Sequence, residues 1–197
     1  MKKSRIALST LLLAVGLSVD ATPGTASPDA PPATHGLAMP GLAVGEKAAD
    51  FILPNAEGRY VVLSELLKTG KVVLVFVRSA DWCPFCRNQL QELQKSLPEI
   101  EATGAKLIAI SYDAPATNAA ATAKLGLTFP LLSDPGSKVI DAYGIRNHEA
   151  KGRGVGIPHP VFFILDQEGV IRVKLMREGY KVRPEGAEII AGANSFK

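Results

Sequence analysis

The chain has 197 residues, 47% of them hydrophobic and 21% charged, with a formal charge of +3 and no long acidic or basic block. That length holds one ordinary domain with a short extension, and the composition is that of a globular protein. A nucleic-acid surface is excluded, and a domain of this size buries a core of its own without needing its two cysteines as a staple.

Lys2, Lys3 and Arg5 precede an apolar run from Ile6 to Val19, and Val19-Asp20-Ala21 resembles a small-x-small cleavage site, with Thr25-Ala26 as a fallback. The run is short against the ~20 apolar residues of a membrane span. Residues 1–21 therefore read as an export signal, with an uncleaved N-terminal anchor as the alternative; only in that case is the membrane a partner. Most of the excess positive charge leaves with the signal. The rest is expected in an oxidising compartment, the periplasm if the host is a double-membraned bacterium. Residues 22–45 are rich in Ala, Pro, Gly, Ser and Thr, include His35, and read as a flexible linker. The folded domain is expected over 46–197.

Phe51 to Leu53 and Tyr60 to Val62 flank the turn-like Asn55-Ala56-Glu57-Gly58 and predict an N-terminal hairpin. Ser64 to Lys68 suggests a helical turn. Lys71 to Val77 is a β-branched apolar run, the pattern of a strand buried on both faces. An amphipathic helix continues through Gln89 to Leu97 and is expected to stop at Pro98. Leu107 to Ile110 reads as a second buried strand. Helices follow over Ala116 to Leu125 and Ser137 to Tyr143, ended by Gly126 and Gly144. Arg146 to Gly156 is a glycine-rich loop. Val161 to Leu165 and Val170 to Leu175, joined by Asp166-Gln167-Glu168-Gly169, predict a second hairpin, and Glu185 to Ala191 a closing helix after Pro184. Strands alternating with helices indicate an α/β fold, one sheet with helices on both faces.

Cys83 and Cys86 stand in Trp82-Cys83-Pro84-Phe85-Cys86, where the first buried strand hands over to a helix. A disulfide closing so small a loop removes little unfolded-state entropy, so stabilisation is a poor reason for the pair. That placement suits a redox dithiol. At a helix start, unpaired N–H groups and the dipole favour a thiolate at Cys83, the species that attacks disulfides. Pro84 fits the first turn, where no N–H is needed. Cys86, one turn on, can attack a mixed disulfide at Cys83. Trp82 is expected to shield the pair, with Phe85 between the two sulfurs in sequence. Arg78 and Arg87 would favour a thiolate and Asp81 oppose it. Two other readings stand beside this one. Half of a zinc site would need two ligands more, and His35, His148 and His159 lack the spacing; no metal is expected. Two inert core cysteines in a non-catalytic interaction module are the other.

Val75-Phe76-Val77-Arg78 through Arg87, Leu107 to Asp113, Leu125 to Pro135, and Phe162 to Asp166 with Gly169-Val170-Ile171 together resemble the redoxin family. This is the alkyl hydroperoxide reductase/thiol-specific antioxidant (AhpC/TSA) branch of the thioredoxin superfamily. The resemblance covers roughly 45–191 and implies a thioredoxin-like fold with a central mixed sheet. It implies an oxidoreductase whose only redox group is the Cys83–Cys86 disulfide, with no separate cofactor. Partners are then a protein thiol or disulfide, or a hydroperoxide, with an external thiol as electron donor. The peroxidase side of the family carries Pro-x-x-x-Thr-x-x-Cys and a later Arg. Counted back from Cys86, those places hold Ser79 and Cys83; counted from Cys83, Phe76 and Ala80; the Arg place holds Pro160. A proline there is what thioredoxins have, so the resemblance makes His159–Pro160 a candidate cis bond facing the pair, with His159 beside the sulfurs. Thiol–disulfide exchange is the leading expectation, and a thiol-dependent peroxidase is the runner-up.

Overall fold

The computed structural model describes residues 39–196. The expected signal and residues 22–38 of the expected linker lie outside them. The chain order is β1 (Ile52–Pro54), β2 (Tyr60–Val62), α1 (Leu63–Leu67), β3 (Lys71–Phe76), α2 (Pro84–Ala102), β4 (Ala105–Ser111), α3 (Pro115–Leu125), β5 (Leu131–Ser133), α4 (Lys138–Ala142), β6 (Val161–Leu165), β7 (Ile171–Met176) and α5 (Gly186–Asn194). The main sheet runs β5-β4-β3-β6-β7. β3, β4 and β5 are parallel, whereas β6 and β7 are antiparallel, so the sheet is mixed. β1 and β2 form the separate N-terminal hairpin.

Alternation along β3 divides the core in two. Val73, Val75 and Val77 pack with Leu90, Leu93, Leu97 and Ile100 of α2 and Ile189 of α5. Val72, Leu74 and Phe76 pack on the opposite face with Leu63 and Leu67 of α1 and Ile140 of α4. Successive side chains of a strand point to opposite faces, so a run apolar at every position needs helices on both sides. The second face also holds an aromatic trio, with Phe76 5.0 Å from Tyr143 and 6.1 Å from Phe163 between ring centroids. The Tyr143 hydroxyl donates to the Ala49 carbonyl at 2.9 Å, and burial pushes its pKa up.

Two local expectations are corrected, and one strand was not foreseen. α2 does not stop before Pro98 but runs through it to Ala102. Pro98 is on the exposed side, while Leu97 and Ile100 beside it are buried; burying such side chains contributes about 1.5–3 kcal/mol each, enough to carry the helix past the missing N–H. β5 escapes the sequence pattern because three residues show no periodicity; Ala109 of β4 pairs with its Leu131. Finally, 39–45 is not a free tether. The Leu42 N–H donates to the Tyr143 carbonyl, and that of Gly45 to Ile171. Lys174 Nζ donates to the Gly41 carbonyl at 2.9 Å. Gly41 has φ +95° and lies so close to Tyr143 and Ile145 that a Cβ would clash, which explains a glycine there.

Candidate active site

The carboxyl end of β3 delivers the chain into a tight connection, Val77 to Trp82, before α2 begins. Ser79 is fully buried and organises this turn. Its Oγ accepts from the N–H groups of Asp81 (3.1 Å) and Trp82 (3.3 Å) and donates to Asp113 Oδ1 (3.0 Å). Asp113, just beyond β4, also accepts from the Ala80 N–H (2.8 Å) and the Ser111 hydroxyl (3.0 Å). Burial raises the Asp113 pKa, and the hydrogen bonds from Ala80, Ser79 and Ser111 oppose that rise.

Cys83 is the N-cap of α2 and Pro84 its first residue. The Cys83 sulfur accepts from the Cys86 N–H at 3.3 Å, in the way a capping oxygen does. Cys83 and Cys86 are joined as a disulfide with Cα atoms 5.2 Å apart. Both residues are buried, at 1% and 0% exposure, so exposure does not rank the two sulfurs in this oxidised state.

Around the pair lies a collar of aromatic rings and guanidinium groups. Trp82 Nε1 donates to the Tyr112 hydroxyl at 3.1 Å, which donates in turn to the Arg153 carbonyl. Arg78 lies 5.2 Å from the Trp82 ring and 4.2 Å from that of Tyr180, and Arg153 lies 4.9 Å from Trp82. Phe85 meets Tyr180 edge to face at 5.7 Å. Arg183, from the segment between β7 and α5, points Nη2 at the Cys86 sulfur at 3.8 Å. Its pKa is lowered to about 10 by burial and by the neighbouring Arg78 cation.

Trp82 and Phe85 pack against the core cluster that holds the pair, Pro84 opens α2 next to Cys83, and Arg78 lies over the Trp82 ring, while three expectations need correction. Arg87 turns its guanidinium to the Asp81 carbonyl. His159–Pro160 is not cis; no peptide bond among the described residues is. The segment before it explains this: the His159 N–H donates to the Ile145 carbonyl and Arg146 forms an isolated β-bridge with Pro158, which carries an extended chain into β6 in the trans form that X-Pro bonds favour by about 0.5–1 kcal/mol. His159 is not beside the sulfurs; it lines a cavity with Pro40, Asp141, Arg146 and His148, where burial lowers its pKa. Sequence reasoning missed Arg183, Tyr180, Arg153 and the anchoring role of Asp113. Arg183 lies 97 residues from Cys86, and only Pro184 and the helix start beside it marked that segment. Among the described residues no group of three or more His, Cys, Asp or Glu is placed to hold a metal ion.

The model of the AhpC/TSA family matches residues 44–174. Alkyl hydroperoxide reductase E of Mycobacterium tuberculosis is 35% identical over 146 residues, which cover 73% of this chain and 92% of that protein. Thiol-disulfide oxidoreductase ResA of Halalkalibacterium halodurans is 33% identical over 128 residues, 64% of this chain and 65% of that one. Among solved structures, peroxidoxin BcpB of M. tuberculosis superposes with a TM-score of 0.68 at 24% identity, covering 78% of this chain and 97% of that one, a likeness of fold.

Proposed function

The chain belongs to the AhpC/TSA family and is an oxidoreductase, and from that premise we propose that Cys83 and Cys86 carry out thiol–disulfide exchange with a protein partner. The observation that carries this reading is the pair itself, bonded across the first turn of α2 with Cys83 at the cap. In the reduced protein the Cys83 thiolate attacks a partner disulfide, forming a mixed disulfide and releasing one partner sulfur as thiolate. Cys86 then attacks Cys83 Sγ; the Cys83–partner bond breaks, and its electron pair leaves on the second partner sulfur. The partner is reduced by two electrons and the pair oxidised by two. An external thiol returns the pair to the dithiol by the same steps. Pro84 leaves the first turn free of a competing donor, and Trp82 and Phe85 pack against the core cluster that holds both sulfurs.

A peroxidase is the second reading, favoured by the 35% relative named for hydroperoxide reduction. Against it stands the place one turn before Cys86, filled by Cys83 itself, and Pro160 where that mechanism wants an arginine. Purified mature protein given insulin and hydroperoxide side by side tests the choice. We expect insulin-disulfide reduction and slow peroxide consumption, with Cys86→Ser accumulating mixed disulfides and Cys83→Ser trapping little. Fast peroxide consumption without trapped partner would establish the second reading instead.

Residues 1–21 are proposed as the export signal that takes the domain to the periplasm, on the strength of Lys2, Lys3, Arg5 and the apolar run to Val19.

A further inference from the structure

Reduction leaves Cys86 in an unfavourable place for the work the exchange cycle asks of it. The residue has no exposure, and burial among apolar groups disfavours the charged form of a thiol. Yet only a thiolate resolves a mixed disulfide. The N-cap position serves Cys83, not Cys86: the first-turn N–H of Cys86 is given to the Cys83 sulfur. What meets the Cys86 sulfur is Arg183 Nη2 at 3.8 Å.

Arg183 has no anion of its own. Neither it nor Arg78 forms an ion pair among the described residues. The Nε of each is buried without a hydrogen-bond partner. Other charged groups on the surrounding elements are already engaged or turned away. Asp113 is held by Ser79, Ala80 and Ser111, and Arg87 lies on the Asp81 carbonyl. Glu92, which lines a cavity with Arg183, pairs with Lys95, Glu188 pairs with Arg177, and Glu185 completes the cap of α5. Lys181 and Asp81 are exposed. Two neighbouring guanidiniums, partly desolvated and without a counter-ion, form an arrangement that a third, negative member would relieve. The Cys86 sulfur is the group in contact.

On the footing of the exchange reading, we propose that Arg183, backed by Arg78, is a positioning residue that holds Cys86 as a thiolate in the mixed-disulfide state and thereby sets the rate of resolution. When Cys86 Sγ bonds to Cys83 Sγ, the negative charge passes to the departing partner sulfur, which takes a proton from water. Arg183 is left against a neutral sulfur, as it stands in the oxidised protein.

A chromogenic aromatic disulfide separates the two steps, since Cys83 attack releases one coloured thiolate and Cys86 resolution a second. In Arg183→Gln the first phase keeps its rate, the second slows about tenfold at neutral pH, and its midpoint moves about one unit higher, the equivalence of one pKa unit to tenfold in thiolate. Arg183→Lys, which keeps a cation there, restores the second phase to within about threefold. Thermal melting of both variants checks that the fold is kept; if Arg183→Gln does not fold, the parent's own second-phase midpoint carries the test, expected below the ~8.5 of a free thiol despite the burial of Cys86, and a midpoint above that would overturn the assignment. Equal slowing of both phases, or an unmoved midpoint of the second, would overturn the assignment. A parent protein that gives neither phase would refute the exchange reading itself, a distinct result.

Discussion

The connection from β3 into α2 depends on one carboxylate, and removing it has a calculable effect. Asp113 accepts from the Ala80 N–H, the Ser79 hydroxyl and the Ser111 hydroxyl at 2.8 to 3.0 Å. In Asp113→Ala the Ala80 N–H and the Ser79 hydroxyl lose their acceptor inside the protein; Ser111 Oγ keeps a second one in Asn118 Oδ1 at 3.0 Å. An orphaned buried donor costs about 1–3 kcal/mol, so two give about 2–6. Against this, the variant no longer buries a carboxylate, whose desolvation is visible in the raised pKa. The net expectation is a loss of about 2–4 kcal/mol. Urea unfolding of the oxidised protein measures it, with an unchanged m-value showing that the denatured state is not what moved. The same loosening acts on the site, since Ser79 Oγ also holds the Asp81 and Trp82 N–H groups; the first exchange phase is expected to slow in parallel. A loss under about 1 kcal/mol at constant m would refute the idea that Asp113 anchors the cysteine turn.

Asp113→Asn tests the electrostatic half of that reasoning. A carboxyl whose folded pKa is raised contributes most below its unfolded value, about pH 4, and loses that contribution as pH rises through the folded value, so the stability of Asp113→Asn relative to the parent should rise with pH across the acidic range; a relative stability that falls with pH contradicts the burial argument. Pro98→Ala restores an N–H for the Gln94 carbonyl on an exposed stretch of α2 and should stabilise by about 1–2 kcal/mol after the greater chain entropy of the unfolded variant is subtracted; destabilisation measured in the same urea assay would mean that the ring packs usefully. N-terminal sequencing of exported protein should begin at Thr22, and Met1 retained in a membrane fraction would indicate an anchor.

What could be read in the sequence was what short-range rules dictate. Val72 to Val77 and Val161 to Leu165 announce buried strands because every position is apolar, and the core they form on two faces follows from strand geometry alone. Cys83 and Cys86 were legible because two cysteines three residues apart at a helix start bring their sulfurs within bonding reach by local geometry alone. The failures came where tertiary contacts decide. Pro98 breaks a helix in isolation but not one whose next turn buries Ile100. Met39 to Gly45 has a linker's composition, yet Leu42 and Gly45 find backbone acceptors on the body of the domain. His159 lies in another cavity, tied there by its N–H to the Ile145 carbonyl, a contact no local rule could foresee. Arg183 meets Cys86 only through the return of the chain after β7, and nothing in its neighbourhood encodes a sulfur contact.

The two enzymatic readings differ less in the oxidised enzyme they leave than in their first step. A peroxide that oxidised either sulfur would give a sulfenic acid within one turn of a second thiol, and the two would condense to the same Cys83–Cys86 disulfide. Both routes would then need an external thiol to return the pair to the dithiol, so a trapped oxidised pair is compatible with either. What separates them is which groups surround the attacking sulfur before any bond forms. Polarising an O–O bond needs donors fixed on the oxygen that will leave, and at the turn before Cys86 the side chain that would supply one is another sulfur, already accepting the Cys86 N–H. Attack on a disulfide needs less: a thiolate, an accessible sulfur in line with it, and a second thiolate to finish. Cys83 at the cap and Arg183 at Cys86 meet the first and last of these demands with groups of this chain alone.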